Sequence, residues 1–298
     1  MKNKILVIGS ANTDLVIHSP KMPTLGETLT GSNFQINAGG KGLNQAVAIA
    51  KLGGKVSFLG AIGKDANGEI LLNQCQQYGV EFEGEILQEC PTGTAMITVV
   101  KGDNFIVLNP GANHCLTPQI IEQKEALIAQ SDYCVLQLEI PVDSICKVCE
   151  LAQKHNTKVV LNPAPYCQLP ESLFSKIDYF IPNEHEACSL TGIFPDTKEH
   201  CIQAMNRFIH LGVSHPIITL GEKGCVYHND GRVVFQPALS ATVVDTTAAG
   251  DCFIGALVTG LSQNKTLEEA ITFATKAAAI TVSREGAAKS IPLANEIE

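Results

Sequence analysis

The sequence predicts an α/β protein in which a doubly wound, mainly parallel sheet forms three layers with its helices, beside a small antiparallel β lid. From Thr117 onward, apolar segments of strand length alternate with segments of helical character. Repeated strand–helix units of this kind form a parallel sheet covered by helices on both faces. Residues 15–37 and 92–109 instead alternate apolar and polar residues between turn residues, which is typical of antiparallel strands and predicts the lid.

Composition fits a large folded unit and disfavours several functions. The chain has 298 residues, of which 45% are hydrophobic, enough for a substantial core and too many for a disordered chain. Its net charge of −9 argues against a nucleic-acid-binding or anionic-membrane surface. No run approaches the roughly 18 apolar residues of a membrane span. We expect residues 1–298 to form a single domain with neither a nucleic-acid nor a membrane partner.

The cysteines indicate a reducing compartment. The chain has 11 of them, an odd number without a disulfide framework, so we expect reduced thiols in the cytoplasm. The apolar run of residues 5–8 is too short for a signal peptide and is better explained as a buried first strand. Cys146 and Cys149 have the spacing of a redox or zinc pair, but they fall in a predicted helix from Val142 to Lys154. Without a second pair at zinc-site spacing, core packing is the expected role.

The elements follow in order from the pattern of apolar and turn residues. In the N-terminal half we expect a strand at 4–9, a helix from Gly39 to about Leu52, a strand at 56–60 and a helix at 67–78. The second lid segment is expected to be a hairpin that turns at Gly102-Asp103-Asn104. In the C-terminal half we expect strands at 133–137, 157–161, 178–181 and 216–220, with helices between them that include one near 197–211.

The stretch Val244 to Ala256 is the most informative one. Small and hydroxylated residues lead into Gly250, and an apolar helical run follows it. The start of a helix offers unpaired N–H groups and a positive dipole to an anion, and Gly250 lets backbone approach a ligand closely. Asp251 would then lie in the first helical turn, either as a base for a reacting hydroxyl or as a simple helix cap. The first alternative describes what a small-molecule kinase needs.

Other polar residues fall at the carboxyl ends of predicted strands, where open α/β sheets place their ligand crevice. They are Asn12, Asp14, Glu139, Asn162, Asn183, Glu186 and the stretch Thr219 to Gly224. Each alone is explained as a turn or cap residue, but their shared edge favours a ligand site. Neither a P-loop nor a G-x-G-x-x-G turn after the first strand is present. Phosphate binding would therefore depend on the helix that begins near Gly250.

Two motifs carry a resemblance that covers nearly the whole chain. Gly39-Gly40-Lys41-Gly42-x-Asn44-Gln45 and Asp245-Thr246-Thr247-Ala248-Ala249-Gly250-Asp251 resemble the hallmark motifs of the ribokinase, or phosphofructokinase-B-type, family of sugar kinases. The segments at 12–14, 161–165, 182–184 and 219–221 resemble family segments in the same order. Many members have Gly-Ala-Gly-Asp where this chain has Ala248-Ala249-Gly250-Asp251, and the alanine form occurs in ribokinases.

The resemblance implies roles for the sugar and phosphoryl sites. Asp251 would take the proton of the sugar's primary hydroxyl, a task within reach of a weakly basic carboxylate because phosphoryl transfer is loose. The amides of Ala248, Ala249 and Gly250 would form the anion hole. The residues implied to hold sugar hydroxyls are Asn12, Asp14, Gly40, Lys41, Asn44, Glu139 and Asp251.

The resemblance also implies a nucleotide site and two metal sites. The implied ATP-binding residues are Asn183, Thr219, Leu220, Gly221, Glu222, Lys223, Gly224, Gly250 and Thr275. Glu186 would organise Mg²⁺ indirectly, through its waters. A monovalent cation such as K⁺ would be held by Asp245, Thr247, Thr281, Arg284, Gly286 and Ser290. Carbonyl oxygens with a single carboxylate suit a large, weakly hydrated ion better than Mg²⁺.

The expected function is therefore ATP-dependent phosphorylation of D-ribose at O5, giving D-ribose 5-phosphate and ADP. Three alternatives stay open: a sister kinase for deoxyribose, a kinase for another pentose or a nucleoside, and a regulator that keeps the fold without turnover. The presence of Asp251 and Gly250 argues against the regulator, because a pure binder needs no base. Exposed lid edges invite strand pairing, so we expect a homodimer through the lid strands.

Overall fold

The computed structural model describes residues 3–101 and 103–297 and, within them, is built on a nine-stranded sheet. The strands are β1 Lys4–Ile8, β2 Asn12–His18, β3 Ser32–Gly39, β4 Lys55–Leu59, β5 Ala61–Gly63, β6 Glu81–Phe82, β7 Glu85–Leu87, β8 Gly93–Val100, β9 Asp103–Asn109, β10 Tyr133–Gln137, β11 Lys158–Asn162, β12 Tyr179–Phe180, β13 His215–Thr219, β14 Cys225–Asn229 and β15 Arg232–Gln236.

The helices lie on both faces of this sheet. They are α1 Lys41–Lys51, α2 Ala66–Tyr78, α3 Pro118–Gln123, α4 Glu125–Ala129, α5 Val142–His155, α6 Glu171–Phe174, α7 Glu184–Thr191, α8 Lys198–His210, α9 Ala249–Ser262 and α10 Leu267–Val282, with short 3-10 helices at Gly111–Cys115, Gly221–Lys223 and Ala294–Glu296.

The large sheet has the strand order β15-β14-β13-β12-β11-β10-β1-β4-β6. From β13 to β6 all pairs are parallel, and only the hairpin β14–β15 adds antiparallel pairs at one edge of the sheet so described. The chain builds outward from β1 through β4 and β6, then returns to place β10 on the other side of β1. The order therefore reverses between β1 and β10, which is where doubly wound folds bind ligands.

The alternation of β1 separates two apolar cores. Ile5 and Val7 belong to a core that contains apolar residues of α1, α2, α9 and α10. Leu6 and Ile8 belong to a second core with residues of α3, α5 and α8. Successive strand residues point to opposite faces, so a strand buried on both sides is apolar throughout. The predicted three-layer α/β architecture is confirmed.

A second sheet, called the small sheet below, has the order β3-β2-β8-β9 within the described residues. The β2–β3 and β8–β9 hairpins are each antiparallel, as predicted. They join through a parallel pairing of β2 with β8, because both strands leave the body of the protein in the same direction. The first segment is also longer than expected, since β2 begins at Asn12 and β3 ends at Gly39.

Most predicted boundaries agree with the structure to within one or two residues. The β14–β15 hairpin and the short pair of β5 and β7 are additional to the predicted elements. β5 and β7 have only three residues each, too few to show a periodicity, and β14 and β15 contain polar residues that weaken an apolar pattern. The predicted turn at Gly102-Asp103-Asn104 falls partly outside the described residues, at Gly102, while Asp103 already begins β9.

Two compositional expectations can be compared with the structure. In the described residues no helix is both long and apolar enough to cross a bilayer. Each of the eleven cysteines carries a free thiol. Cys149 is buried and Cys146 half-buried within α5, and within residues 3–101 and 103–297 no cluster of three potential metal-ligating side chains occurs.

Candidate active site

The reversal of strand order between β1 and β10 brings Ser10 and Glu139 together. Ser10 Oγ, directly after β1, donates a short hydrogen bond to Glu139 Oε2, directly after β10. The backbone N–H of Lys41, which opens α1, donates to the same oxygen at 3.2 Å. Glu139 thus connects β1, β10 and the start of α1 at the carboxyl edge of the sheet.

Helix α9 begins at this edge, as the sequence predicts. Ala248 is its N-cap with φ 60°, and Asp251 lies in the first turn. Gly250 is exposed, and a Cβ added to it would meet no atom within 4 Å. The Ala249 N–H donates to the Thr246 carbonyl at 3.2 Å, so of the three expected anion-hole amides this one also serves the preceding turn. The open space beside Gly250 leaves room for an anion at the positive end of the helix.

Asp251 is buried, with 8% of its surface exposed, and is held by two amides of α1. Asn44 Nδ2 donates to Oδ2 at 3.2 Å, and Gln45 Nε2 donates to Oδ1 at 3.0 Å. Burial raises the pKa of the Asp251 carboxyl, and the positive Lys41 and the two amides offset only part of that effect. A carboxylate whose pKa is raised in this way is a stronger base than an exposed carboxylate.

Asn12 and Asp14 lie two residues apart on β2 of the small sheet and therefore share one face of it. Burial, followed by the negative charges of Glu139 and Asp251, raises the pKa of Asp14 to about 7. Gly39, on β3, leaves the room that the Asp14 carboxyl occupies, because a Cβ there would lie 2.2 Å from Asp14 Oδ2. Gly40 has φ 90° and backbone of β2 within 2.7 Å of its would-be Cβ. Only glycine meets both conditions without strain.

Lys41 supplies the positive charge for this group of acids. Burial opposes its charged form, but the charges of Asp251, Glu139 and Glu186 outweigh burial and raise its pKa. The ammonium therefore stays protonated at neutral pH. It partly neutralises these three neighbouring carboxylates.

The predicted nucleotide residues adjoin the next strands along the sheet. Asn183 and Glu186 form a capping box at the start of α7, with bonds of 2.8 and 2.9 Å between each side chain and the other residue's N–H. Asn183 also forms a β-bridge with Thr219 at the end of β13. Gly221, with φ 54°, and Gly224, with φ 100°, shape the turn that follows, and Glu222 and Lys223 are exposed in it. The segment presents exposed backbone of residues 221–223 at the sheet edge.

Thr275 lies apart from this turn, in the middle of α10. It is buried, and its hydroxyl donates to the Ile271 carbonyl at 2.9 Å. This hydroxyl donates within its own helix, so toward a nucleotide it could act only as an acceptor.

The residues proposed to bind a monovalent cation come from two loops that meet at Asp245. Its Oδ1 accepts from Thr247 N at 2.9 Å, and its Oδ2 accepts from Gly286 N at 2.9 Å. Burial disfavours ionisation of Asp245, but these hydrogen bonds outweigh it and lower the pKa. The carboxylate is therefore ionised at neutral pH. It ties the loop before α9 to the loop after α10.

The remaining members of that set lie in the last turn of α10, which holds Thr281, and in the segment that follows it. Thr281 Oγ1 and Ser290 Oγ each bond a nearby carbonyl, at 2.9 and 2.7 Å. The Thr281 carbonyl accepts from Arg284 N at 3.1 Å. Carbonyl oxygens have a second lone pair, so these local bonds are compatible with a cation beside Asp245.

Sequence analysis missed several polar residues that the structure places here. Asn113 is 1% exposed, and its Nδ2 donates to Asn12 Oδ1 at 2.7 Å. Neither Gln45, in the first motif, nor Gln137, in a predicted strand, is assigned a role by the sequence. Gln137 Nε2 donates to Gln45 Oε1 at 2.6 Å. A polar residue inside an otherwise apolar strand, such as Gln137, was the available signal.

Comparisons with known proteins agree with this geometry. The family model of pfkB carbohydrate kinases matches residues 2–294. A ribokinase of Haemophilus influenzae is 43% identical over 99% of this chain and 97% of its own length. A deoxyribokinase of Salmonella typhi is 36% identical, covering 97% of this chain and 95% of its own.

The same likeness holds in three dimensions. The structure of Arabidopsis thaliana ribokinase complexed with ribose and ATP superimposes with a TM-score of 0.94 at 32% identity, covering 98% of this chain and 96% of that one. Because the family model and the relatives span nearly the entire sequence, this chain belongs to the pfkB family of carbohydrate kinases.

Proposed function

We propose that the protein phosphorylates D-ribose at O5, with ATP as phosphoryl donor, giving D-ribose 5-phosphate and ADP. One observation carries the proposal: the buried Asp251 carboxylate lies in the first turn of α9, directly beside the open backbone at Gly250. A base and an anion-binding helix terminus are thus adjacent, as an in-line transfer from ATP to a hydroxyl requires. The curated ribokinases similar to the whole chain support the same reaction.

The first step assigned to the chain is removal of a proton. Asp251 accepts the proton of the sugar's primary hydroxyl as that oxygen attacks the γ-phosphorus. Its raised pKa helps it hold this proton. The amides near Gly250 and the dipole of α9 stabilise the charge on the phosphoryl group during transfer.

The sugar would be held by side chains from both sheets. Asp14 and Asn12 approach from β2, and Asn44, Glu139 and Lys41 approach from the body. A carboxylate such as Asp14 can accept from two adjacent hydroxyls, and an amide can donate and accept. The contribution of both sheets leads us to propose one domain in which the small sheet is a lid over the sugar.

ATP would occupy the turn after β13 and the start of α9. Mg²⁺ bound to the phosphates would neutralise part of their charge. Glu186 fits an indirect role there, because it is 7% exposed and its Oε2 is already bonded to Asn183 N. K⁺ would be held directly by the ionised Asp245 carboxylate together with carbonyl oxygens of the two segments that meet at Asp245.

The outer face of the small sheet supports the proposed homodimer. Residues paired across its strands share a face, so Ile36, Met96 and Val107 form a row on the side opposite Asp14. They are 49%, 63% and 70% exposed. A contiguous apolar strip of this kind is typical of an interface. Replacing Met96 with Asp should convert a dimer into a monomer by light scattering, and a wild-type monomer at micromolar concentration would contradict the proposal.

The direct test of function is ATP consumption with a panel of pentoses and nucleosides. Ribose should exceed 2-deoxyribose clearly in kcat/KM, because a missing hydroxyl leaves a buried carboxylate lone pair unsatisfied. A higher kcat/KM for 2-deoxyribose would instead indicate a deoxyribokinase, which is the activity named for one of the relatives. Sugar and nucleotide binding without turnover would indicate a regulator. We also propose a cytoplasmic location, because eleven cysteines without a disulfide framework in the sequence favour a reducing compartment.

A further inference from the structure

A chain of side-chain amides connects Asp251 to the centre of the large sheet. Gln137 Nε2 donates to Gln45 Oε1 at 2.6 Å, and Gln45 Nε2 donates to Asp251 Oδ1 at 3.0 Å. Gln45 and Gln137 are both fully buried. No solvent competes for these bonds, so their geometry is fixed by the protein alone.

The first bond of this chain decides the orientation of the second. An amide presents an oxygen on one side and an NH₂ group on the other. Because Gln137 donates to the Gln45 oxygen, the Gln45 NH₂ group must face Asp251. If the amide were turned over, its oxygen would face the carboxylate and repel it.

The absence of a side chain at Gly9 makes room for the Gln137 amide, whose oxygen lacks a hydrogen-bond donor among the described residues. A Cβ on Gly9, at the end of β1, would lie 1.8 Å from Gln137 Oε1. That oxygen is buried and, within the described residues, has no hydrogen-bond partner. An unpaired buried acceptor is unfavourable for stability. Core packing alone therefore does not explain a glutamine at the end of β10.

We propose that Gln137 and Gln45 are positioning residues that hold the carboxylate of Asp251 in its reactive orientation. Gln45 occupies Oδ1, while Oδ2 carries the longer bond from Asn44 and keeps a lone pair for the sugar hydroxyl. Gln137 fixes Gln45 in the donating orientation. This inference rests on the proposed function, in which Asp251 is the base.

The test compares Gln137→Met with wild type. Methionine matches glutamine in size but lacks the donor, so the Gln45 oxygen loses its partner and the amide is held only by its bonds to Asp251 and, at 3.4 Å, to Asn162 Oδ1. We expect kcat to fall about tenfold with the KM for ribose nearly unchanged, since Gln137 lies behind Gln45. The acidic limb of the pH profile of kcat/KM should move to higher pH, because the ionised form of Asp251 loses stabilisation.

Two further variants make the outcome decisive. Gln74→Met removes a half-buried glutamine on α2, outside the chain of amides, whose amide nitrogen has no hydrogen-bond partner among the described residues. This variant should leave the rate and the pH profile unchanged. If Gln137→Met does not fold, Gln45→Glu replaces the donor with an acceptor and should move the acidic limb upward. An unchanged pH profile in the folded variants would refute the positioning role. Full activity of Asp251→Asn would instead refute the proposed function.

A separate observation concerns two thiols at the base of the small sheet. Cys90 Sγ and Cys115 Sγ lie 3.1 Å apart, and both are half-buried. Cys90 precedes β8, and Cys115 ends the 3-10 helix that follows β9. Ala112 N donates to Pro91 O at 2.8 Å, so these two segments are already held together.

The geometry points to a redox modification site at which Cys90 and Cys115 form an intramolecular disulfide. The co-reactant is a low-molecular-weight disulfide such as oxidised glutathione. One protein thiolate attacks it and releases a first small thiol, and the second protein thiol then displaces the other. The protein loses two hydrogens as a new S–S bond forms, and the small disulfide becomes two thiols. Disulfides of reducing compartments are typically of this reversible kind.

Peptide mapping after treatment with oxidised glutathione tests the site. We expect a linked pair of peptides containing Cys90 and Cys115, formed before any other link and reversed by dithiothreitol. Cys115→Ala should instead retain a glutathione adduct on Cys90. Free thiols at both positions in wild type, or a lasting adduct on either one, would overturn the assignment.

Discussion

Asn44 Nδ2 lies 3.2 Å from Asp251 Oδ2, although 207 residues separate them along the chain. The contact joins the first turns of α1 and α9. These helices pack closely because α9 carries Gly255, whose would-be Cβ would lie 2.5 Å from the Ala48 side chain. The small size of Gly255 thus lets α1 and α9 approach, which brings the motif at 39–45 into contact with the motif at 245–251.

Asp251→Asn should abolish most turnover while preserving the fold. Asparagine keeps the size of aspartate but cannot accept the hydroxyl proton, and loss of a general base costs about 10²–10⁴ in rate. Steady-state kinetics with ribose, together with ATP binding by calorimetry, measures both expectations. Asp143→Asn is a matched control, since Asp143 is an exposed acid in the first turn of α5. A variant at position 251 with more than about a third of normal turnover would remove Asp251 from catalysis.

Asp14→Asn should stabilise the ligand-free protein more at pH 8 than at pH 5. The folded-state pKa of Asp14, about 7, lies above the ordinary value of 3.8, so the folded state binds this proton more tightly. Its contribution to the free energy of unfolding therefore falls as pH rises from about 4 to 7, by about 1.4 kcal/mol per pH unit. Asparagine does not titrate, so the free energy of unfolding of the variant does not fall through this position as pH rises.

Urea unfolding at the two pH values measures the effect of Asp14→Asn. Asp103→Asn, the same substitution at an exposed position of β9, is the matched control. Equal effects of Asp14→Asn at pH 5 and pH 8 would show that Asp14 titrates normally. The same variant should bind ribose weakly, because it loses an acceptor of sugar hydroxyls.

Ribose should slow amide hydrogen exchange in the small sheet more than in the central strands. All residues of β9 are exposed, and sheets with few buried contacts open at low free energy. Strands β10 and β11 are buried almost throughout and are already protected. Exchange measured by mass spectrometry with and without ribose tests this, and unchanged exchange in β2, β3, β8 and β9 would count against a lid.

Potassium should raise kcat or lower the KM for ribose without competing with ATP. Asp245 Oδ2 accepts from Gly286 N at 2.9 Å, and a cation beside this pair would hold the loop that leads into Ala248 and Gly250. The assay begins in potassium-free buffer, with a bulky organic cation for ionic strength. Asp245→Ala should lose the response. Full activity without potassium, unchanged when it is added, would exclude the proposed cation site.

Local patterns in the sequence determined most of the architecture. Buried parallel strands are uniformly apolar and helices have their own period, so the alternation from Thr117 onward predicted the layers. Turn residues likewise marked both hairpins of the small sheet. The β14–β15 hairpin was not predicted, because its place at the edge of the large sheet depends on tertiary position more than on a residue pattern.

Only the tertiary structure decided how the polar residues are paired. Nothing in the sequence distinguishes Asp14 from any other aspartate. Its pKa of about 7 arises from burial and from the neighbouring charges of Glu139 and Asp251. Gln137 looks like one polar residue in an apolar strand until the fold places it against Gln45. Residue type and spacing determine which groups reach the sheet edge. Burial and hydrogen-bond partners, which depend on distances across the chain, determine the charge and orientation of each group there.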